Sequence, residues 1–236
     1  MTSAQHVLVS AVGSRRGPVA ADRLCEACVD LLTVDAAAIS LVFDGANTGT
    51  LGASGEQARV YDELQFTLGE GPCLESVSVR NPVLVGDLSY VGEARWPAYG
   101  TAMLAHGVHG VFALPVVVAG EYLGALDLFR RRPGPLDDDD LAGALVAAEL
   151  AELPLLDLLA VNLQAAVSNP DSVAWDELAA MTRAEVAQAT GMLVAQLEIS
   201  PAEALVRLRA HAYAVDQSAT EVARAILDRR LRLDAD

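Results

Sequence analysis

The chain has 236 residues, room for one or two domains at roughly 150 residues each. Its hydrophobic share of 53% and mean hydropathy of +0.32 suffice for packed cores, yet no run of about 18 uninterrupted apolar residues offers a membrane span. A formal net charge of −16, with every one of the sixteen cations an arginine, weighs against a surface that holds nucleic acid by bulk charge alone.

Residues 1–17 lack a basic stretch ahead of their apolar part, so no export signal is expected. Three cysteines, an odd number, fit a reducing compartment better than a disulfide framework, and the expected location is the cytoplasm. Residues 18–33 read as an amphipathic helix with Leu24, Cys28, Leu31 and Leu32 inward. Residues 36–43 and 48–54 read as a strand pair around a Gly/Asn-rich turn. The segment 69–77 opens with turn chemistry and continues as a short helix, 82–88 is a short strand, and 95–106 a helix ending at Gly107. The clearest hairpin joins 110–118 to 121–129 through Ala119-Gly120. Asp137 to Asp140 supply an acidic helix start, and a long helix should run to about 166 with a bend at Pro154. It is apolar on more than one side, which invites a partner helix.

A turn-rich cluster at 168–172 marks a break, after which everything reads as helix. Residues 1–171 hold 22 acids and nine arginines, whereas 172–236 hold ten acids and seven arginines, so the acidity belongs mostly to the first part. Thr182–Glu185, Ser200–Glu203 and Ser218–Glu221 are three Ser/Thr-x-x-Glu capping boxes at a spacing of 18. Three helices in step with them predict a three-helix bundle. On the first, Val186, Leu193 and Leu197 face the core, while Ala187, Gly191 and Ala195 form a stripe of small residues that admits a neighbouring helix or a nucleic-acid backbone. On the second, Leu205, Leu208, Ala212 and Val215 face inward. Val206, Arg209 and Tyr213 lie opposite, with Arg207 to one side, a stacking platform beside a phosphate clamp or else a solvated surface pair. Arg224, Arg229, Arg230 and Arg232 on the third helix are partly offset by Asp228.

Cys25-x-x-Cys28 sits within one helix and has no second such pair, so both thiols are expected in the core. Cys73 follows Gly-Pro and either packs or lines a pocket, and His106 and His109 bracket a turn. Consecutive carboxylates at 137–140 point around a helix and do not converge on a metal. No nucleophile elbow, P-loop, HExxH or paired-carboxylate signature is present, so neither catalytic nor metal-binding residues are expected, and no motif names a cofactor.

Residues 181–233 resemble the ANTAR domain, the RNA-binding module of transcription-antitermination regulators. The resemblance rests on Arg183, the run Gln188-Ala-Thr-Gly191-Met192, Ser200, Glu203-Ala204, Leu208-Arg209, Ala212 and Val222-Ala223. Two positions depart from it: Thr190 stands where many members have lysine, and Asp216 where asparagine or glycine is frequent. Residues 18–165 resemble a GAF sensory domain through Gly69-Glu-Gly-Pro-Cys73, Trp96-Pro97, the 110–118 hairpin strand and Gly124-Ala-Leu-Asp127-Leu.

The resemblances imply an α/β (α+β) domain with a central antiparallel sheet, over 18–167 with its long last helix, then a linker at 168–180 and an all-α three-helix bundle over 181–236. They imply binding of stem-loop RNA, for which the candidate residues are Arg183, Gln188, Thr190, Gly191, Arg207, Arg209 and Tyr213. A small-molecule ligand of the first domain, of unidentified chemistry, would meet Cys73, Trp96, Phe112 and Asp127. A homodimer through the long helix, which also carries the signal, is expected. The alternative is a protein-interaction or dimerisation module with no RNA role, and a DNA-binding regulator is third.

Overall fold

A computed structural model describes residues 3–43, 45–158 and 183–234. The first part runs α1 (Ser3–Val12), α2 (Gly17–Leu31), β1 (Ala36–Phe43), β2 (Ala46–Ala53), α3 (Glu56–Leu68), α4 (Pro72–Val79), β3 (Val83–Val85), α5 (Pro97–Ala105), β4 (Gly110–Val118), β5 (Glu121–Arg130), α6 (Asp138–Leu150) and α7 (Glu152–Asp157). The second runs α8 (Ala184–Leu197), α9 (Pro201–Ala214) and α10 (Ala219–Leu227). The expected linker at 168–180 lies outside the described residues.

The strands form one antiparallel sheet in the order β2-β1-β5-β4-β3. Ile39, Leu41, Phe112, Leu114, Leu126 and Leu128 face α2 and α6 on one side, while Ala38, Val111 and Phe129 face Tyr61, Tyr99 and Met103 on the other. Because helices cover both faces, β1 and β5 read as near-continuous apolar runs without alternation. The β4–β5 turn places Ala119 at φ 52° and Gly120 at φ 88°, a turn whose twist suits the right-handed strands.

Two departures from the sequence reading matter. Residues 56–68 form a helix that the apolar pattern did not announce. Residues 3–12 form another, sealed by Leu8 and Val12. The helix expected from 138 with a bend at Pro154 is interrupted at Ala151, between α6 and α7, because Pro154 has no N–H to offer the carbonyl of Leu150. Its stretch beyond residue 158 lies outside the described residues. Asp137 caps α6 by accepting from the Asp140 backbone at 2.8 Å, and Asp140 turns in to Thr33, so this acidic run is a helix start.

The helical bundle has its own core of Val186, Leu193, Ala204, Leu208, Ala212, Val222 and Ile226. Val215, expected inside, is 44% exposed, and Leu197 and Leu205 are half-buried. Ser218 and Glu221 complete a reciprocal capping box at α10, and Ser200 caps α9. The helix α8 starts instead on Arg183, which adopts the left-handed conformation (φ 48°, ψ 49°), while Thr182 lies outside the described residues. Among the described residues, one of the first part joins the bundle's core: Phe66 of α3.

Candidate functional site

The buried positions of α3 are 58, 61, 62, 65, 66 and 67, a helical face that holds Asp62 and Gln65 among apolar neighbours. Those two polar residues hide the apolar period, which is why sequence reasoning missed the helix and the site it carries. A scan for helical spacing of any bulky residue would have found it.

Asp62 is the hub of a buried polar cluster. It accepts from Ser40 Oγ at 2.5 Å and from Asn47 Nδ2 at 2.8 Å, and Thr50 Oγ1 bonds its second oxygen. Ser40 Oγ lies equally close, 2.5 Å, to Asp127 Oδ2, to which Gln65 Nε2 also donates. A hydroxyl has one proton, so the second short contact needs a proton from its partner. Burial, and next the charge of Asp62, push the Asp127 carboxyl well above the usual aspartate range. That shift favours the protonated form of Asp127, which donates to Ser40 while Ser40 donates to the Asp62 carboxylate. Asp127 Oδ1 and the Tyr99 hydroxyl are buried with no hydrogen-bond partner among the described residues. Gly71, at φ 147°, completes the wall: a Cβ there would lie 2.5 Å from Gln65 Oε1, the atom that accepts from the Cys73 backbone at 2.8 Å.

The guanidinium of Arg183 reaches into this cluster from the bundle. Its Nε donates to Glu63 Oε2 at 2.7 Å, Nη1 to Asn47 Oδ1 at 2.8 Å, and Nη2 to Asp62 Oδ2 at 2.9 Å and Thr50 Oγ1 at 3.3 Å. Its carbon stands 4.5 Å from the centre of the Phe66 ring. Burial works against this charge, yet Asp62 and Glu63 outweigh it and hold the Arg183 pKa above the ordinary guanidinium value. Arg183 is only 6% exposed.

Two further contacts dock the bundle on α3. The Thr67 hydroxyl accepts from the Ala219 backbone at 3.0 Å, and Glu63 Oε1 accepts from Thr220 Oγ1 at 2.8 Å. Arg209 places its guanidinium carbon 4.6 Å from the Phe66 ring centre, and its Nη1 lies 3.2 Å from where a Cβ on Gly69 would stand. Burial, together with the charge of Arg183, lowers the Arg209 pKa.

The residues expected to meet RNA thus divide. Arg183 and Arg209 turn onto the first domain, so Arg209 sits on Phe66 and not beside Tyr213 as a clamp. Gln188, Gly191 and Tyr213 are exposed, and Thr190 and Arg207 half-buried. Thr190 Oγ1 bonds back to the Val186 carbonyl, and Arg207 pairs with Glu203 on the surface. Ala187, Gly191 and Ala195 all face outward, and a Cβ on Gly191 would meet nothing within 4 Å, so among the described residues no neighbouring helix occupies the small stripe. The expected ligand-pocket residues divide as well. Cys73 and Asp127 border the polar cluster, whereas Trp96 lines a separate cleft of about 760 Å³ with Glu70, Leu74 and Tyr122. Phe112 lies on the opposite face of the sheet, because adjacent strand residues alternate sides and it pairs with Leu128 while Ala113 pairs with Asp127. Cys25, Cys28 and Cys73 are fully buried.

The sequence model of the GAF domain matches residues 19–153, and that of the ANTAR domain matches residues 177–227. No curated protein matches the chain. Among solved structures, the GAF domain of a phosphoenolpyruvate-protein phosphotransferase from Coxiella burnetii is similar at 16% identity and a TM-score of 0.52, over 69% of this chain and 95% of that one. The corresponding domain from Acinetobacter is similar at 13% identity and 0.51, over 68% and 98%. A free methionine-R-sulfoxide reductase from Neisseria meningitidis, in complex with its substrate, is 14% identical with a TM-score of 0.47, over 63% and 86%. At these identities the likeness to the two phosphotransferase domains shows the fold. Among the described residues, no helix is long and apolar enough to cross a membrane.

Proposed function

Because the chain belongs to the GAF domain family and carries an ANTAR domain behind it, we propose that it is a signal-responsive regulator of transcription antitermination whose ANTAR bundle binds stem-loop RNA. The observation that carries this reading is the burial of Arg183, and with it much of Arg209, against α3 of the GAF domain. The bundle carries only seven of the chain's arginines in a strongly acidic protein, so two of them withdrawn from its surface weaken its hold on phosphates. This arrangement is the restrained form. Release from α3 returns Arg183 and Arg209 to the surface of the bundle, which also carries Arg207, the exposed Tyr213 ring and the open stripe at Gly191.

The GAF domain acts as sensor and scaffold without chemistry of its own, and the route of control is direct docking on α3. Exposed Leu145, Leu153 and Leu156 on α6 and α7 support a homodimer through this helical face.

The test measures affinity for a paired stem-loop RNA in three full-length proteins. Glu63→Ala, which loosens the dock from the GAF side, should bind more tightly than wild type, and Arg183→Ala less tightly than Glu63→Ala. With about three phosphate contacts, each doubling of salt should cost roughly sixfold in affinity. Equal affinities in all three, or no salt dependence, would sink the reading in favour of a protein-interaction module.

A further inference from the structure

We propose that the Asp62 cluster of the GAF domain is a binding site for monoalkyl guanidines, and that Arg183 is its built-in occupant, displaced when a diffusible guanidine takes its place. The inference rests on the sensory half of the reading above and not on its RNA half.

The site is matched to the shape of the group, not only to its charge. Four of the five guanidinium N–H donors find acceptors, at 2.7, 2.8, 2.9 and 3.3 Å, spread over the edge of one plane, and the ring of Phe66 lies within cation–π reach. The acceptors are fixed before any occupant arrives. Asn47 spends its amide nitrogen on Asp62, which leaves only its carbonyl oxygen for the guest. Asp62 is held by Ser40, and Ser40 by Asp127. Behind them, Asp127 Oδ1 and the Tyr99 hydroxyl have no partner among the described residues although both side chains are fully buried, so the pocket's polar capacity exceeds what Arg183 uses. An ammonium group, with three tetrahedral donors, does not fit this planar set.

The site is also reachable. A cleft of about 670 Å³ runs along the seam between the domains, lined by Thr50, Glu56, Glu63, Glu185, Glu221 and Arg183 itself. Five carboxylates (Glu56, Glu63, Glu185, Asp216 and Glu221) against Arg59, Arg183 and Arg224 leave its lining net negative, which favours entry of a cation. The occupant now present stands in a left-handed backbone conformation that a non-glycine residue adopts at some cost, and it sits beside Arg209, whose like charge opposes it. Both features favour exchange for an untethered guest.

The experiment uses the full chain as wild type and as Arg183→Ala, with methylguanidine as probe and methylammonium and methylurea as controls for charge and for shape. Calorimetry should show methylguanidine binding to Arg183→Ala roughly a hundredfold more tightly than to wild type, the lower range of the advantage a tethered occupant holds. Neither control should bind comparably. In wild type, saturating methylguanidine should speed amide exchange at Ala219 and Thr220, whose N–H groups are bonded to α3. Absence of methylguanidine binding in a folded Arg183→Ala protein, or equal binding of methylammonium, overturns the proposal. If Arg183→Ala does not fold, the wild-type exchange experiment decides, and unchanged exchange at 219–220 overturns it. None of these readouts contains RNA, so a protein that binds guanidines but no RNA would refute only the antitermination reading.

Discussion

Arg183 Nη2 stands 2.9 Å from Asp62 Oδ2, a buried ion pair formed across 121 positions of sequence. A pair so far apart in the chain closes only when two folded units meet, so its strength reports on how they are joined. Removing one member of such a pair leaves the other buried and unpaired, which is why the partners of Arg183 are sensitive probes of the dock.

Glu63 is the more accessible of those partners and bridges both Arg183 and Thr220. Glu63→Ala should weaken the dock by about 1–3 kcal/mol, the usual cost of stranding charge-assisted hydrogen bonds. Hydrogen exchange should rise at the start of α8 and α10 while the sheet stays protected. A gain in RNA affinity of roughly 5- to 150-fold is expected, the common range of coupling between sites. Exchange confined to the sheet would mean the dock does not depend on this residue.

The raised pKa of Asp127 fixes a pH dependence. The native state keeps the proton where the unfolded chain has released it, so the contribution to stability is complete below the ordinary aspartate pKa and is lost as pH rises towards the native value. Within that window the slope is about 1.4 kcal/mol per pH unit. Asp127→Asn, which keeps a neutral donor, should therefore gain on wild type as pH rises from 4 to 8 in melting experiments. A constant difference between the two proteins across that range would show that Asp127 is ionised in the folded state.

Gly191 occupies an exposed helix interior with open space where a side chain would go. Gly191→Ala should raise stability by about 0.5–1 kcal/mol, since glycine there carries a helix-propensity penalty. Gly191→Leu should melt no lower than wild type yet bind stem-loop RNA more weakly, because the bulk blocks close approach to the stripe. A protein that unfolds on this change would place the stripe in the packing of the bundle.

Leu145 and Leu153 are 44% and 52% exposed on α6 and α7. Light scattering of the wild type at micromolar concentration should give a dimer, and the double variant Leu145→Glu, Leu153→Glu a monomer with an unchanged circular dichroism spectrum. Leu150, half-buried against the core, is a poorer probe because its replacement would also disturb the fold.

Much of the architecture was legible because it is local. The β4–β5 hairpin follows from two apolar runs around Ala119-Gly120, and the Ser200 and Ser218 caps announce α9 and α10 at the right positions. The outward set of Ala187, Gly191 and Ala195 follows from helical rotation alone. By contrast, α3 was illegible: its buried face carries Asp62 and Gln65, whose partners come from β1, β2, β5 and α4 and are unknown to any short window. The sequence by itself determined two helical and sheet-forming regions with their family signatures, because hydrophobic period, turn residues and caps act over a few positions. Only the tertiary structure decided that Arg183 and Arg209 face the GAF domain, that Phe112 and Asp127 lie on opposite sides of the sheet, and that the bundle docks on α3. A charged side chain takes whichever partner the fold brings to it. For Arg183 that partner was a carboxylate cluster, set up by strands and helices more than a hundred residues away, whose burial makes the guanidinium bond there in preference to water.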